Sequence, residues 1–83
     1  MNAPSEERLE RLRRAFPSGL RVRLVRMEDA QAPPAGTCGT VRCVDDLGSI
    51  HIAWDTGGSL AALDGEDVVA RLDKRVNDDF GNA

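Results

Sequence analysis

Residues 37–54, TCGTVRCVDDLGSIHIAW, decide the fold because they hold two alternating apolar stretches around a short polar turn. The turn is DDLG at residues 45–48, and its last residue, Gly48, is free to adopt the positive φ that such a hairpin requires. The stretch therefore predicts a β-hairpin closed by a four-residue loop.

The length of this loop sets the register of the hairpin. A four-residue loop places Gly39 opposite Trp54 and Cys43 opposite Ile50. The apolar side chains then share one face, where the smallest residue lies beneath the indole. We therefore expect Trp54 to be buried in the core.

Alternating segments continue on both sides of the hairpin. Leu20, Val22 and Leu24 interleave with Arg21 and Arg23, which is typical of a strand with one buried face and one exposed face. Short segments of this kind, separated by turns, predict an all-β fold. The predicted strands cover residues 20–24, 37–44, 49–54, 59–63 and 68–72.

The turn after the third strand leaves two alternatives. A three-residue loop with Gly58 at positive φ places Leu60 opposite Trp54 on the core side. A two-residue turn at Thr56-Gly57 would need a β-branched residue at positive φ, which is sterically disfavoured. We prefer the three-residue loop.

The opening segment has the pattern of an amphipathic helix. Ser5 can cap its N-terminus and Pro17 ends it. Acidic residues occupy the first turn and basic residues the last, as the helix dipole favours. Leu9, Leu12 and Phe16 form a narrow apolar stripe. Because a helix this short is marginal alone, we expect the stripe to contact the rest of the chain, a second copy or a partner.

Composition limits the chain to one small domain. It has 83 residues, of which 41% are hydrophobic, and no apolar run approaches the roughly 18 residues that span a membrane. The start lacks a basic region followed by an apolar one, so we expect a cytoplasmic protein with no membrane contact. A chain of this length also has too little material to enclose a substrate chamber.

Charge is unevenly distributed, although the net charge is only -3. Residues 1–26 carry seven arginines against three glutamates, which gives +4, whereas residues 27–83 carry four basic against eleven acidic residues, which gives -7. A basic end is compatible with nucleic-acid binding. We favour the interpretation that this end is a solvated helix with its own ion pairs.

Few residues offer reactive chemistry. Cys38 and Cys43 lie about 17 Å apart along one strand and, at odd spacing, on opposite faces, so we expect two reduced thiols rather than a disulfide. His51 is the only histidine, and we expect it on the exposed face beside Arg42. Neither acidic cluster has the spacing of a calcium loop. We therefore expect no enzyme, metal, cofactor or small-molecule substrate.

A set of short motifs follows in a defined order and spacing: Gly19, Val22-Arg23-Leu24, Pro33-Pro34-Ala35-Gly36-Thr37, Gly39-Thr40-Val41, Val44-Asp45-Asp46, Gly48, Ile50-His51-Ile52, Trp54-Asp55, Ser59-Leu60 and Gly65. Over about residues 17–72 they resemble the small domain of unknown function numbered 4314. The resemblance implies an SH3-like small barrel from a setting of bacterial mobile-element and phage genes. It implies no catalytic residue, because that family has no established activity. The chain departs from the family pattern at residues 56–58, TGG, where an Asn-Gly turn is usual.

We therefore predict an all-β, small SH3-like five-stranded barrel with one N-terminal α-helix. The helix is expected over residues 1–17, the barrel over 18–73 and a flexible tail over 74–83. The predicted function is a non-catalytic protein-binding module that acts on an unknown protein partner or by self-association. Its predicted partner-binding residues are Leu9, Leu12, Phe16, Arg21, Arg23, Arg42 and His51.

The alternative function is a nucleic-acid-binding accessory protein that uses the basic N-terminal face. Such a protein would neutralise phosphates with arginine side chains, and its binding would weaken steeply as salt is raised. The residues of this face are Arg8, Arg11, Arg13, Arg14, Arg21 and Arg23.

Overall fold

The computed structural model describes residues 4–72, which form one helix and five strands. In chain order the elements are α1 (Glu6–Ala15), β1 (Arg21–Arg26), β2 (Cys38–Val44), β3 (Ser49–Trp54), β4 (Ala62–Leu63) and β5 (Val68–Arg71). The flexible tail predicted over residues 74–83 lies outside the described residues. The described part of the chain contains no helix with the length and apolar character that crossing a membrane requires.

The five strands form one antiparallel sheet in the order β4-β3-β2-β1-β5. Strands β1 to β4 follow each other as a meander, and β5 returns to pair with β1. A mostly β fold with one short helix is therefore confirmed. The sheet is open, with β4 and β5 at its two edges, so the closed barrel is not confirmed.

The helix begins after Ser5 and ends before Pro17, as the capping and termination signals predict. The side chain of Ser5 accepts a hydrogen bond from the backbone N–H of Arg8 at 3.1 Å, which satisfies a free donor in the first turn. At the other end the N–H of Phe16 donates to the carbonyl of Leu12, and Pro17 follows. These contacts confirm the predicted N-cap and the predicted end.

The core lies between the inner face of the sheet and the helix. Trp54 is only 4% exposed, and its indole N–H donates to the carbonyl of Leu60 at 2.9 Å, so the expectation of a buried indole is confirmed. The helix contributes Leu12 to the same cluster. The buried residues are Leu12, Val22, Leu24, Val41, Val44, Ile50, Ile52, Trp54 and Ala62.

The predicted register of the β2–β3 hairpin holds in the half far from the turn, and it is shifted in the half near the turn. Gly39 lies opposite Trp54, as predicted, but a β-bulge at Arg42 shifts the pairing by one residue. Cys43 therefore pairs with His51 rather than with Ile50. The prediction that Cys43 faces the core was wrong, because the extra residue in the bulge turns the next side chain outward.

The same bulge places both cysteines on the outer face of the sheet, so the prediction of opposite faces was also wrong. Val44 takes the buried position that had been predicted for Cys43. Cys38 and Cys43 are both free thiols, which agrees with the prediction that they do not form a disulfide.

In the turn after β3, Gly58 has the positive φ that the preferred three-residue loop predicted, but Leu60 does not lie opposite Trp54. Gly57 and Gly58 both have positive φ, at 97° and 92°, and the carbonyl of Gly58 accepts from the N–H of Trp54. Pairing resumes only at Ala62, which lies opposite Ile50 and is buried. The predicted strand at residues 59–63 is therefore reduced to its last two residues. Leu60 does not extend it, since its carbonyl bonds to the indole instead.

The outer edge of β4 is occupied by the turn that follows it. The N–H of Leu63 donates to a carboxylate oxygen of Asp67 at 2.8 Å. The carbonyl of Leu63 accepts from the N–H groups of Glu66 and Asp67 at 3.0 and 2.9 Å. Both backbone groups that point away from β3 at this position are thus hydrogen-bonded within the chain.

Candidate functional site

A groove lies where the start of α1 meets the β2–β3 turn and the β4–β5 turn, and we call it the junction groove. It has a volume of about 560 Å³ and is open to solvent. Its lining residues are Pro4, Ser5, Arg8, Leu12, Leu47, Gly48, Ser49, Leu63, Asp64 and Glu66.

Ion pairs between the helix and the β4–β5 turn build one wall of this groove. The Nε and Nη2 atoms of Arg8 donate to Oδ2 of Asp64 at 3.0 and 2.6 Å. Both side chains are partly exposed, so solvent weakens the pair and it serves mainly to orient the helix.

The other turn holds the helix in the same way. Arg13 donates from Nη2 to Asp46 at 2.7 Å and from Nε to the carbonyl of Val44 at 3.2 Å. A third contact, from Arg71 to the carbonyl of Ala15 at 3.3 Å, ties the end of the helix to β5. The basic N-terminal segment and the acidic turns thus complement each other within the molecule.

Two leucines that line the groove have side chains exposed to solvent. Leu47 is 70% exposed at the tip of the β2–β3 turn, and Leu63 is 41% exposed at the end of β4. The floor between them is formed by Leu12, which is 7% exposed, and by Gly48. Large apolar side chains that remain outside the core beside a concave surface are typical of binding sites.

Gly48 allows the helix to approach this turn closely. Its φ is 84°, as the sequence predicts for the end of the loop. A Cβ at this position would lie 3.4 Å from Cγ of Pro4 and 3.6 Å from Cδ1 of Leu12. The glycine therefore serves both the backbone of the turn and the packing of the helix start above it.

The turn that presents Leu47 is held by one carboxylate. Oδ1 of Asp45 accepts from the backbone N–H groups of Leu47 and Ser49, each at 2.9 Å, and Oδ2 lies 2.9 Å from Nε2 of His51. The hydrogen bond with His51, followed by the one from Ser49, holds the pKa of Asp45 below its ordinary value. Leu47 is therefore exposed on an ordered turn.

His51 lies on the outer face of the sheet, as predicted, but its neighbour differs. We expected Arg42 beside it, whereas the bulge puts Cys43 opposite His51 and the imidazole contacts Asp45. The pairing of His51 with Arg42 was wrong, because no pattern of apolar residues marks the bulge in the sequence.

Arg21 and Arg23 lie on the same outer face as His51. Arg21 donates to Oγ1 of Thr40 at 2.9 Å and to both oxygens of Asp55 at 2.9 and 2.5 Å. This bidentate contact lowers the pKa of Asp55 and raises the pKa of Arg21. Arg23 is exposed and lies opposite Cys38.

The apolar stripe of the helix is largely used inside the molecule. Leu12 belongs to the core, Phe16 is partly buried against it, and Leu9 is half-buried. Of the predicted partner-binding leucines, only Leu12 lines the groove, and it does so at the floor. The structure thus docks the helix on the sheet, which was one of the alternatives that the sequence left open.

Sequence reasoning missed Leu47 and Leu63 as candidate binding residues. Leu47 follows two aspartates and precedes a glycine in a tight turn. Because such turns are normally polar, an apolar residue at this position was a usable signal of a binding role. Leu63 offered no comparable signal, since its exposure depends on how short β4 is.

The basic face proposed for nucleic acid is partly neutralised. Of its six arginines, Arg8, Arg13 and Arg21 form ion pairs with acidic residues of the sheet and its turns. Among residues 4–72, no group of three or more His, Cys, Asp or Glu side chains is placed to hold a metal ion.

Comparisons with known proteins give one finding. The model of one protein family, Domain of unknown function (DUF4314), matches residues 5–72, which include the helix and all five strands. No curated protein matches the chain, and no solved structure matches it.

Proposed function

This chain belongs to the family Domain of unknown function (DUF4314), and we propose that it is a non-catalytic protein-binding module whose binding surface is the junction groove. One observation carries the proposal: Leu47 is 70% exposed on a turn that Asp45 holds in place beside the groove. Exposure of a large apolar side chain on an ordered turn has no role in the packing of the sheet. It is explained if a partner covers it.

The energetics of this arrangement favour binding. Transfer of one fully exposed leucine side chain out of water stabilises a complex by about 1.5–3 kcal/mol. Because the turn is already ordered by three hydrogen bonds to Asp45, little conformational entropy is lost when Leu47 is covered. Contacts with Leu63 and the groove floor would add to the same apolar surface.

We also propose that the fold is related to SH3-like small barrels. The support is the strand order, a four-strand meander whose fifth strand returns to the first, with a short turn joining the two edge strands. A cytoplasmic location and an association with mobile-element or phage genes are further parts of the proposal; the first is the expectation drawn from the sequence, and the second rests on the resemblance alone.

The proposal is tested by comparing the proteins captured by three tagged forms of the full chain. Native chain, Leu47→Asp and Val25→Asp are incubated with the same host lysate, and bound proteins are quantified by mass spectrometry. Val25 is 48% exposed on β1 and does not line the groove, so it is a matched control for loss of an exposed apolar side chain. We expect specific partners to decrease at least tenfold with Leu47→Asp and to be retained with Val25→Asp.

Other outcomes would contradict the proposal. Equal loss of partners in both variants would indicate general apolar adhesion rather than a site. Capture of nucleic acid that falls steeply with salt, without dependence on Leu47, would favour the alternative function. Circular dichroism of each variant shows that its fold is retained.

A further inference from the structure

We infer that the junction groove binds a peptide segment that carries a large apolar side chain close to a lysine or an arginine. The inference rests on the proposed function, because it assigns the chemistry of the partner to the same groove. It comes from the way in which the apolar and the acidic parts of the groove are arranged.

The apolar part is the space between the two exposed leucines. Leu47 and Leu63 line the groove above the floor that Leu12 forms. A leucine, methionine or phenylalanine side chain placed between them would lose contact with water and cover both. This part of the groove selects for apolar character and carries no charge preference.

The acidic part is the end of the groove at the β4–β5 turn. Arg8 directs both of its hydrogen bonds to Oδ2 of Asp64, so Oδ1 accepts no hydrogen bond from any side chain in residues 4–72. Glu66 lines the same end and forms no ion pair within the described part of the chain. Two carboxylates with acceptor oxygens that no side chain of residues 4–72 uses therefore line the same groove.

The charge balance of the groove favours a cation. Its charged lining residues are Arg8, Asp64 and Glu66, so one positive and two negative groups give -1. A guanidinium or ammonium beside Glu66 can use the unused oxygens, whereas an acidic partner would meet uncompensated carboxylates. A basic residue next to an apolar anchor thus satisfies both parts of the groove.

The test uses ¹⁵N-labelled full chain and defined synthetic peptides. The probe is a set of four capped Gly/Ser nonapeptides, each with one leucine and one arginine spaced one to four positions apart. Two control sets replace the arginine by glutamate or the leucine by glycine. We expect the Leu/Arg set to shift the amide signals of Leu47, Gly48, Leu63 and Glu66, and to bind at least fivefold more tightly than either control set.

A charge reversal in the groove makes the test specific. With Glu66→Lys we expect the preference to invert, so that the Leu/Glu set binds more tightly than the Leu/Arg set. Glu28→Lys makes the same change in net charge on the exposed loop after β1, outside the groove, and should leave the preference unchanged. The ¹⁵N spectrum of each variant verifies that it is folded.

Failure of this inference is distinguishable from failure of the proposed function. Equal binding of the Leu/Arg and Leu/Glu sets, or an equal effect of Glu28→Lys, would overturn the inference and leave the protein-binding proposal standing on the Leu47 capture result. Groove shifts that depend on protein concentration without peptide would overturn it in favour of a second copy. Absence of binding by every set would overturn it as well.

Discussion

Replacement of Gly39 by alanine tests the packing on which the fold depends. A Cβ built on Gly39 would lie 2.6 Å from Cγ2 of Ile52, 2.9 Å from the carbonyl oxygen of Ala53 and 3.0 Å from Cε3 of Trp54. One of these neighbours is backbone and the other two are buried side chains, so none can move aside freely. The added methyl group must therefore strain the hairpin.

The size of the effect follows from two opposing contributions. Overpacking of a tight core destabilises by about 1–3 kcal/mol, and the backbone contact places this site at the upper end. Alanine stabilises a strand interior by about 0.5–1 kcal/mol relative to glycine, which offsets part of the strain. We expect Gly39→Ala to lower the free energy of unfolding by about 2 kcal/mol, and the melting temperature by about 8–16 °C.

Urea unfolding followed by far-ultraviolet circular dichroism measures this change. The matched control is Ala53→Ser, which also adds one heavy atom but on the outer face of the neighbouring strand, and which should change stability by less than about 0.5 kcal/mol. A Gly39→Ala chain as stable as the native one would refute the reasoning. It would mean that the indole does not pack on Gly39 and that the hairpin has another register.

Three further predictions concern the helix, the β2–β3 turn and the thiols. Leu12→Ala should destabilise the fold by about 2–4 kcal/mol in urea unfolding, because it leaves a cavity between helix and sheet, whereas Leu9→Ala should cost less than about 1 kcal/mol. Asp45 has a lowered pKa in the folded state, so its stabilising effect is present above its unfolded pKa of about 3.9 and is lost as the pH falls through the folded value. Asp45→Asn should therefore be less stable than the native chain at pH 6, with a smaller difference at pH 2.5; an unchanged difference would show that the ionised carboxylate of Asp45 does not stabilise the fold. Cys43 is exposed and should react with a disulfide reagent several-fold faster than the other, half-buried thiol, as mass spectrometry of partly labelled protein would show.

Local signals in the sequence were sufficient to predict much of the fold. The helix ends were predictable from Ser5 and Pro17, because capping and termination depend on neighbouring residues only. Strand β3 was predicted at its observed bounds, since strict alternation up to Trp54 leaves one choice of buried face. The positive φ of Gly48 was predicted from its place as the last residue of the turn.

The wrong or missing predictions concern features that depend on contacts between distant parts of the chain. The bulge at Arg42 could not be located, because Cys43 and Val44 are both apolar and either could have taken the buried position. The shortening of β4 depends on a bond from an indole to the carbonyl of Leu60, which no periodicity reveals. The pairs that dock the helix were invisible for the same reason, since Arg8 and Asp64 are 56 positions apart.

The backbone hydrogen bonds of Leu63 at the edge of the sheet affect how copies of the protein can associate at high concentration. An edge strand normally offers a row of free amide and carbonyl groups to which another chain can add, and fibrils grow by this addition. At β4 that template is already filled by Glu66 and Asp67. A second copy that meets the sheet at Leu63 therefore finds neither the amide nor the carbonyl of that residue free to pair with a further strand.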